Sequence, residues 1–277
     1  MNCIGILHHP KIEAAAPLAV EVGSWLQAEG LQTWIEVNGD GHDLNGLLAK
    51  TDLLIVLGGD GSLLKAARVA VPNHIPLLGI NMGRVGFLTE VQPDEWQARL
   101  ERVLKGDFWL ERRLMAHATL WRNGRSLDQF IALNDVVIGR GAQARVLRLE
   151  LRVDGDVVTT YTADALIVAT PTGSTAYSMA AGGPLLPPQL QNFVIVPVAA
   201  HLSLDRALVL HEEAEIAIQV NMDHEAMLTA DGQQGVALAD GDRIIITKHS
   251  DDAAFVRVDN AGYFYRRLLQ RLGFLRG

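Results

Sequence analysis

A glycine-rich turn that contains an aspartate follows an apolar segment that is typical of a buried strand. The run Leu53–Leu57 leads into Gly58-Gly59-Asp60-Gly61, and Ser62 to Val69 has helical spacing, with Ser62 as the predicted N-cap. Ligands of open α/β sheets bind at the carboxyl ends of strands, where glycines and the amides of a helix start favour phosphate. Beside a phosphate, Asp60 would accept a proton from an attacking hydroxyl or hold Mg²⁺ carried by a nucleotide. The alternative is a turn aspartate that bonds its own backbone.

A second candidate segment, Thr170 to Ser178, is rich in hydroxyl groups and follows an apolar strand signal. Thr172, Ser174 and Thr175 can donate and accept hydrogen bonds at sugar and base edges, and Tyr177 offers a ring for stacking. The alternative is a loop that caps a helix, because Ser and Thr favour that position.

Alternating strand and helix signals run through the N-terminal part of the sequence. Apolar runs at Asn2–Leu7, Thr33–Val37 and Ile75–Ile80 predict strands. Helical spacing predicts helices over Ala14–Ala28 and Pro93–Leu104. This alternation predicts a Rossmann-like α/β domain with a parallel sheet.

Strand signals replace helix signals beyond Gly106. Alternation in Leu114–Trp121 ends at Asn123-Gly124, and Val146–Val153 turns at Asp154-Gly155, which predicts two hairpins. We therefore predict a β-rich, β-sandwich-like domain over residues 106–256. An amphipathic helix, Tyr263–Leu272, is predicted to return to the first domain, which comprises residues 1–105 and 257–277.

The amino-acid composition argues against several classes of protein. The chain has 277 residues, and 24 Lys and Arg against 32 Asp and Glu give a net charge of −8, which argues against nucleic-acid and membrane partners. Cys3 is the single cysteine, and no secretion signal or membrane-spanning run stands out, so we expect a cytoplasmic protein. The nine histidines lack metal-ligand spacing, so no metal held by protein side chains is expected.

Two common nucleotide motifs are absent from the sequence. No Gly-x-x-x-x-Gly-Lys-Ser/Thr occurs, and the loop Gly79–Gly86 does not match Gly-x-Gly-x-x-Gly. The sequence therefore does not support a P-loop enzyme or a hydride-transferring Rossmann enzyme.

Four motifs together resemble the bacterial NAD kinase family. They are Gly58-Gly-Asp-Gly61, Gly79-Ile-Asn-Met-Gly-Arg-Val-Gly-Phe-Leu-Thr89, Asn134-Asp-Val-Val-Ile138 and Thr170-Pro-Thr-Gly-Ser-Thr-Ala-Tyr-Ser178. A lone Gly-Gly-Asp-Gly also resembles phosphofructokinases and lipid kinases, whereas the last motif is specific. The resemblance spans nearly the whole chain.

The resemblance implies transfer of a phosphoryl group from ATP or polyphosphate to the 2′-hydroxyl of the adenosine ribose of NAD, which gives NADP. It implies Asp60 as general base and Mg²⁺ held mainly by phosphate oxygens and water. It also implies a homo-oligomer, a dimer or a tetramer. The residues that it places at donor phosphates are Gly58, Gly59 and Gly61. Those that it places at NAD are Asn134, Thr175, Ala176 and Tyr177 for the adenosine half, Asp135 for the nicotinamide ribose and Asp164 for the carboxamide. The remaining site residues that it implies are Leu64, Phe87, Arg145, Thr172, Ser178, Ala180 and Gln233.

Departures from the family pattern and two rival interpretations stay open. Asp135 stands where Glu is usual, which shortens its reach by one methylene, and Thr162 stands where many members carry a basic residue. A lipid kinase would share Gly-Gly-Asp-Gly, but the segment Thr170–Tyr177 argues against it. A non-catalytic dinucleotide sensor would leave Asp60 unexplained.

Overall fold

The computed structural model of this chain describes residues 1–39, 44–84, 86–141, 145–200, 205–222, 225–233, 235–260 and 262–271. The residues form two compact units: a first unit of Met1–Arg112 with Ala253–Gly277, and a second unit of Arg113–Asp252. The boundaries predicted from the sequence differ from these by a few residues.

The strands, numbered in chain order, are β1 Cys3–His8, β2 Gln32–Val37, β3 Leu53–Gly58, β4 Leu77–Asn81, β5 Trp109–Arg113, β6 Ala116–Arg122, β7 Arg125–Ala132, β8 Asp135–Arg140, β9 Leu147–Val153, β10 Asp156–Ala163, β11 Ala165–Ala169, β12 Asn192–Val198, β13 Leu208–His211, β14 Ile216–Asn221, β15 Ala226–Ala230, β16 Val236–Leu238, β17 Arg243–Lys248 and β18 Ala253–Arg257. The α-helices are α1 Ala15–Ala28, α2 Asn45–Leu48, α3 Asp60–Ala70, α4 Trp96–Leu104, α5 Tyr177–Ala180 and α6 Tyr263–Arg271. Two 3₁₀ turns span Val71–Asn73 and Thr172–Thr175.

The first unit contains one sheet with the strand order β2-β1-β3-β4-β18-β5. Its pairs β1/β2, β1/β3, β3/β4 and β4/β18 are parallel. Every residue of β3 is buried, as expected for a parallel strand covered on both faces. Apolar residues of α1 and α4 pack on this sheet in one core, so the predicted α/β fold is confirmed.

The second unit contains two antiparallel sheets, with the orders β10-β9-β14-β17-β6-β7 and β13-β12-β11-β8-β15-β16. Inward-facing residues of both sheets form a common core, including Leu120 and Ile218 from one sheet and Ile138 and Phe193 from the other. This face-to-face packing makes a β-sandwich. Asn123-Gly124 and Asp154-Gly155 all have positive φ, which matches the twist of the hairpins predicted there.

The C-terminal helix belongs to the first unit. Phe264 and Leu268 of α6 are buried against Phe87 and Trp109. The predicted return of this helix to the first domain is therefore confirmed, although Leu272 lies outside the described residues.

Among the described residues, no helix is both long enough and apolar enough to span a membrane.

Candidate functional site

Asp60 is the first residue of α3, two residues after the end of β3. Its carboxylate oxygens accept hydrogen bonds from the backbone N–H groups of Phe87 and Leu88, each at 2.9 Å. These donors lie 27 and 28 residues further along the chain, so a distant loop orients this carboxylate. This geometry favours a chemical role over that of a simple turn aspartate.

The glycines of the loop fall into two groups. A Cβ at Gly58 would collide with the side chain of Ser62, and a Cβ at Gly86 would collide with the Asp60 carboxylate. In contrast, a Cβ at Gly59 or Gly61 would meet no heavy atom within 4 Å beyond the adjacent chain. Packing therefore requires glycine at 58 and 86, whereas the open space at 59 and 61 suits the close approach of a ligand to the backbone.

The prediction that Ser62 caps the helix is wrong. Helix α3 begins two residues earlier, with Gly59 as N-cap and Asp60 in the first turn. Ser62 is buried and lies against Gly58. An acidic residue at a helix start is favourable beside the helix dipole, so Asp60 itself provides the start signal.

Two predicted pocket residues of the first unit, Leu64 and Phe87, are both buried. The Phe87 ring lies 6.2 Å from that of Phe264. Their contact with a ligand stays a prediction.

Two polar groups at the carboxyl edge of the first sheet are not among the predicted site residues. Asn81 ends β4 beside Gly58, is buried, and donates to the Gly83 carbonyl at 2.9 Å. Within the described part of the chain, Asn81 Oδ1 and His8 Nδ1 are buried atoms without a hydrogen-bond partner. The available signal was a polar residue at the end of a predicted apolar strand.

In the second unit, Asp231 supports the segment 133–135. Its carboxylate accepts the N–H groups of Leu133 at 3.0 Å, Asn134 at 2.7 Å and Asp135 at 3.2 Å. Asp231 is itself buried and has a positive φ, followed by Gly232 with a positive φ. These three partners lie 96 to 98 residues away along the chain, so no local sequence pattern predicts the contact.

The side chain of Asp135 is buried at the start of β8. Burial and the neighbouring charge of Asp231 raise the pKa of Asp135 from 3.8 to about 7. At neutral pH this group therefore exists in both protonation states, and can donate as well as accept a hydrogen bond.

The hydroxyl-rich segment packs directly on Asn134. The Asn134 carbonyl accepts the Thr170 N–H at 2.9 Å, and a Cβ at Gly173 would collide with the Asn134 backbone. The Thr170 hydroxyl donates to the Leu133 carbonyl at 2.5 Å. The structure thus brings together the two motifs that the sequence had proposed for one ligand.

Most hydroxyls of this segment have partners within the protein. Ser174 donates to the Pro171 carbonyl at 2.7 Å, and Thr175 to the Thr172 carbonyl at 3.2 Å. The Thr172 hydroxyl accepts a hydrogen bond from the buried guanidinium of Arg113 at 3.5 Å. These bonds shape the 3₁₀ turn, so part of the hydroxyl signal is structural. They do not form the helix cap of the alternative interpretation, because neither Pro171 nor Ala176, the N-cap residues of the 3₁₀ turn and of α5, makes a side-chain cap hydrogen bond.

Tyr177 opens α5 with 46% of its surface exposed, which leaves its ring available for stacking. Ala180 is also exposed, and Ala176 is half-buried. Ser178 is fully buried, and its Oγ has no hydrogen-bond partner among the described residues.

Three further predicted residues contact other parts of the second unit or lie exposed. Asp164 precedes β11 and forms an ion pair with Arg140 at 3.4 Å, a partner that the sequence did not suggest. Arg145 is exposed beside the undescribed residues 142–144, and Gln233 donates its N–H to the Ala230 carbonyl at 3.1 Å. Ligand contacts of all three stay predictions.

Among the described residues, no three His, Cys, Asp or Glu side chains cluster in a way that could hold a metal ion.

Comparisons with known proteins agree with both units. The family model of the ATP-NAD kinase N-terminal domain matches residues 42–108, and that of the ATP-NAD kinase C-terminal domain matches residues 133–258. The NAD kinase of Chloroflexus aggregans is 40% identical over 269 residues, which cover 97% of this chain and 98% of that protein. The NAD kinase of Syntrophotalea carbinolica is 41% identical over 273 residues, covering 95% and 96%.

Two solved structures share the fold. Yeast NADH kinase complexed with NADH has a TM-score of 0.88 at 24% identity, covering all of this chain and 89% of that chain. An NAD kinase from Archaeoglobus fulgidus in complex with ATP has a TM-score of 0.77 at 25% identity, covering 99% and 100%. Together with the sequence matches, these likenesses show that this chain is a kinase of the ATP-NAD kinase family.

Proposed function

We propose that this chain transfers the terminal phosphoryl group of ATP to the 2′-hydroxyl of the adenosine ribose of NAD, releasing NADP and ADP. Polyphosphate is the other candidate donor. The observation that carries the proposal is the Asp60 carboxylate, oriented by two amides beside a loop whose Gly59 and Gly61 leave the backbone open. NAD is proposed as the substrate because these relatives are named NAD kinases.

The chemistry follows from a base next to bound phosphates. Asp60 removes the proton from the ribose hydroxyl, whose oxygen bonds to the γ-phosphorus while the bond from that phosphorus to the β–γ bridging oxygen breaks. The amides at the start of α3 and the helix dipole stabilise the phosphate charge. Mg²⁺ arrives with ATP as part of the substrate and is held mainly by phosphate oxygens and water.

Residues of the second unit bind NAD in this proposal. Asn134 and the segment Thr175–Tyr177 bind the adenosine half, with the exposed Tyr177 ring stacking on it. Asp135 bonds the nicotinamide ribose and Asp164 the carboxamide amine, since carboxylates accept hydrogen bonds from both.

The test is NADP formation from NAD with Mg²⁺ and either ATP or polyphosphate, read through an NADP-specific dehydrogenase. We expect product from the wild type and a loss of turnover of about 10²- to 10⁴-fold in Asp60→Asn, the usual contribution of a general base. Stabilisation by NAD in thermal unfolding should persist in that variant, because a ligand stabilises whether or not it reacts.

Asp52→Asn is the matched control. Asp52 precedes β3 at the opposite end of that strand, and its carboxylate also accepts two backbone N–H groups, from Asn2 and Cys3. This variant should lose stability and keep its turnover per folded molecule. Phosphorylation of diacylglycerol or sphingosine instead of NAD would establish the lipid-kinase alternative. Stabilisation by NAD without product from any donor would establish the sensor.

We also propose that the protein acts in the cytoplasm as a homo-oligomer. The single cysteine, Cys3, is buried and unpaired, as suits a reducing compartment. Light scattering at micromolar concentration should detect a dimer or tetramer, and a monomer-sized particle would contradict the second part.

A further inference from the structure

The loop that orients Asp60 has no regular secondary structure of its own. Residues 86–90 follow β4, and two of their N–H groups, those of Phe87 and Leu88, bind the Asp60 carboxylate. Strand β4 holds the end of this segment, since the Gly79 carbonyl accepts the Glu90 N–H at 2.9 Å. Residues 86–89 have no such strand pairing, so other contacts must hold them in place.

One such contact is Arg257, the last residue of β18. Its Nη1 donates to the Leu88 carbonyl at 2.9 Å, so the residue that donates to Asp60 is held from its other side. The Arg257 side chain is 1% exposed and forms ion pairs with Glu111 at 2.8 Å and Glu90 at 3.2 Å, both of them fully buried.

The second contact is Arg267, one turn into α6. Its guanidinium donates to the Thr89 carbonyl and to the Glu90 carbonyl, and lies 3.5 Å from the Glu90 carboxylate. The other Glu90 oxygen accepts the N–H groups of Val258 at 3.1 Å and Asp259 at 3.0 Å. Two arginines from the C-terminal segment thus hold successive carbonyls of the loop.

A buried ion-pair cluster is not explained by stability alone. The cost of removing charges from water offsets most of their attraction, and apolar replacements often stabilise a protein as well or better. A cluster of two cations and two anions does provide fixed directions, because the planar guanidinium binds carbonyl and carboxylate oxygens in set geometry.

We propose that Arg257 and Arg267 are positioning residues for phosphoryl transfer: they hold residues 88–90 so that the preceding amides keep the Asp60 carboxylate aimed at its substrate. This inference rests on the proposed role of Asp60 as general base. It assigns to the C-terminal helix a function in turnover beyond packing.

The test compares Arg267→Ala, Arg267→Lys and Arg257→Lys with Arg99→Ala in steady-state kinetics and thermal unfolding. Arg99 is the control, because it pairs with Asp259 at 2.6 Å beside the cluster and its described partners lie outside residues 86–90. We expect kcat to fall about 10- to 100-fold in Arg267→Ala and Arg257→Lys with KM for NAD within about twofold, as for a misplaced catalytic group. Arg267→Lys should recover part of the loss.

The split between kcat and KM separates positioning from structure. If Arg267→Ala lowers only the unfolding temperature, or lowers kcat no more than Arg99→Ala, the inference is wrong. If Arg267→Ala does not fold, Arg267→Lys decides by the same criterion. Failure of the proposed function has a different signature, since the wild type would then give no NADP or Asp60→Asn would stay active.

Discussion

Each of the two units contains an aspartate carboxylate that accepts backbone N–H groups from a distant segment. The two arrangements differ in which partner is proposed to act on the substrate. In the first unit, the candidate catalytic carboxylate of Asp60 accepts the N–H groups of residues 87–88. In the second unit, the carboxylate of Asp231 accepts the N–H groups of residues 133–135, which include the candidate ligand residues. In the first unit a loop orients the candidate catalytic side chain. In the second unit a side chain orients the candidate binding segment.

Hydrogen bonds alone therefore do not reveal which partner acts on the substrate. The surroundings do. Asp60 follows Gly59, which leaves open space at the end of a strand, whereas Asp231 is buried in a left-handed turn before Gly232. The comparison predicts that disturbing the first arrangement impairs turnover, while disturbing the second impairs NAD binding and folding.

Among the variants that test this comparison, Gly86→Ala is expected to have the largest effect. A Cβ at this position collides with the Asp60 carboxylate, so the base must move, and a displacement of this kind costs about 100-fold in kcat. Gly83→Ala, three residues earlier in the same loop, meets no heavy atom within 4 Å and should leave kcat within about twofold. Equal kinetics of the two variants would break the first half of the comparison.

A smaller effect is expected from Asp231→Asn. The amide cannot accept all three N–H groups, so at least one buried donor loses its partner, which costs about 1–3 kcal/mol of unfolding free energy. Because Asn134 and Asp135 then lose their support, KM for NAD should rise about 10-fold, the equivalent of about 1.4 kcal/mol, with kcat changed less. Denaturant titration and initial rates measure both.

Asp154→Asn is its matched control. Asp154 also has a positive φ before a glycine of positive φ, and it accepts one N–H, from Glu215 at 2.9 Å. Asparagine tolerates this conformation, so neither variant strains the backbone. If Asp154→Asn raises KM for NAD as much as Asp231→Asn does, the effect comes from a general loss of stability in the β-sandwich.

Much of the fold could be predicted because its signals are local. Strand and helix periodicity located β3 and α1, and Asn123-Gly124 located a hairpin, since each pattern depends on a few consecutive residues. The predicted start of α3 at Ser62 is wrong because serine favours the N-cap in general, whereas this serine packs against Gly58. That contact is a property of the turn in three dimensions.

The candidate site was predictable only in part, for the same reason. Asp60 stood out as a carboxylate among glycines, but its amide donors follow it by 27 and 28 residues. Arg257 reaches Leu88 across a separation of 169 residues, and no periodicity encodes such a pair. Sequence patterns predicted the groups that are proposed to react or bind, whereas the groups that hold them depend on long-range packing.

The smallest expected effect is on the pH dependence of the unfolding free energy, which tests the coupling between Asp135 and Asp231 in the second unit. Because the pKa of Asp135 is raised to about 7, the folded protein keeps a proton that the unfolded chain has lost at pH 6. The stability from this group is fully present below about pH 4 and is lost as the pH rises through 7. Between pH 6 and pH 8 the loss amounts to about 1 kcal/mol.

Asp135→Asn should remove this loss, so the difference in unfolding free energy between variant and wild type should shift in favour of the variant by about 1 kcal/mol from pH 6 to pH 8. Any constant effect of the amide cancels in that difference, as do the other titrating groups. Asp231→Asn should show part of the same shift, because the charge of Asp231 is the second cause of the raised pKa of Asp135. If neither variant changes the pH dependence measured by denaturant titration, Asp135 and Asp231 are not coupled, and Asp231 acts on this segment through its hydrogen bonds alone.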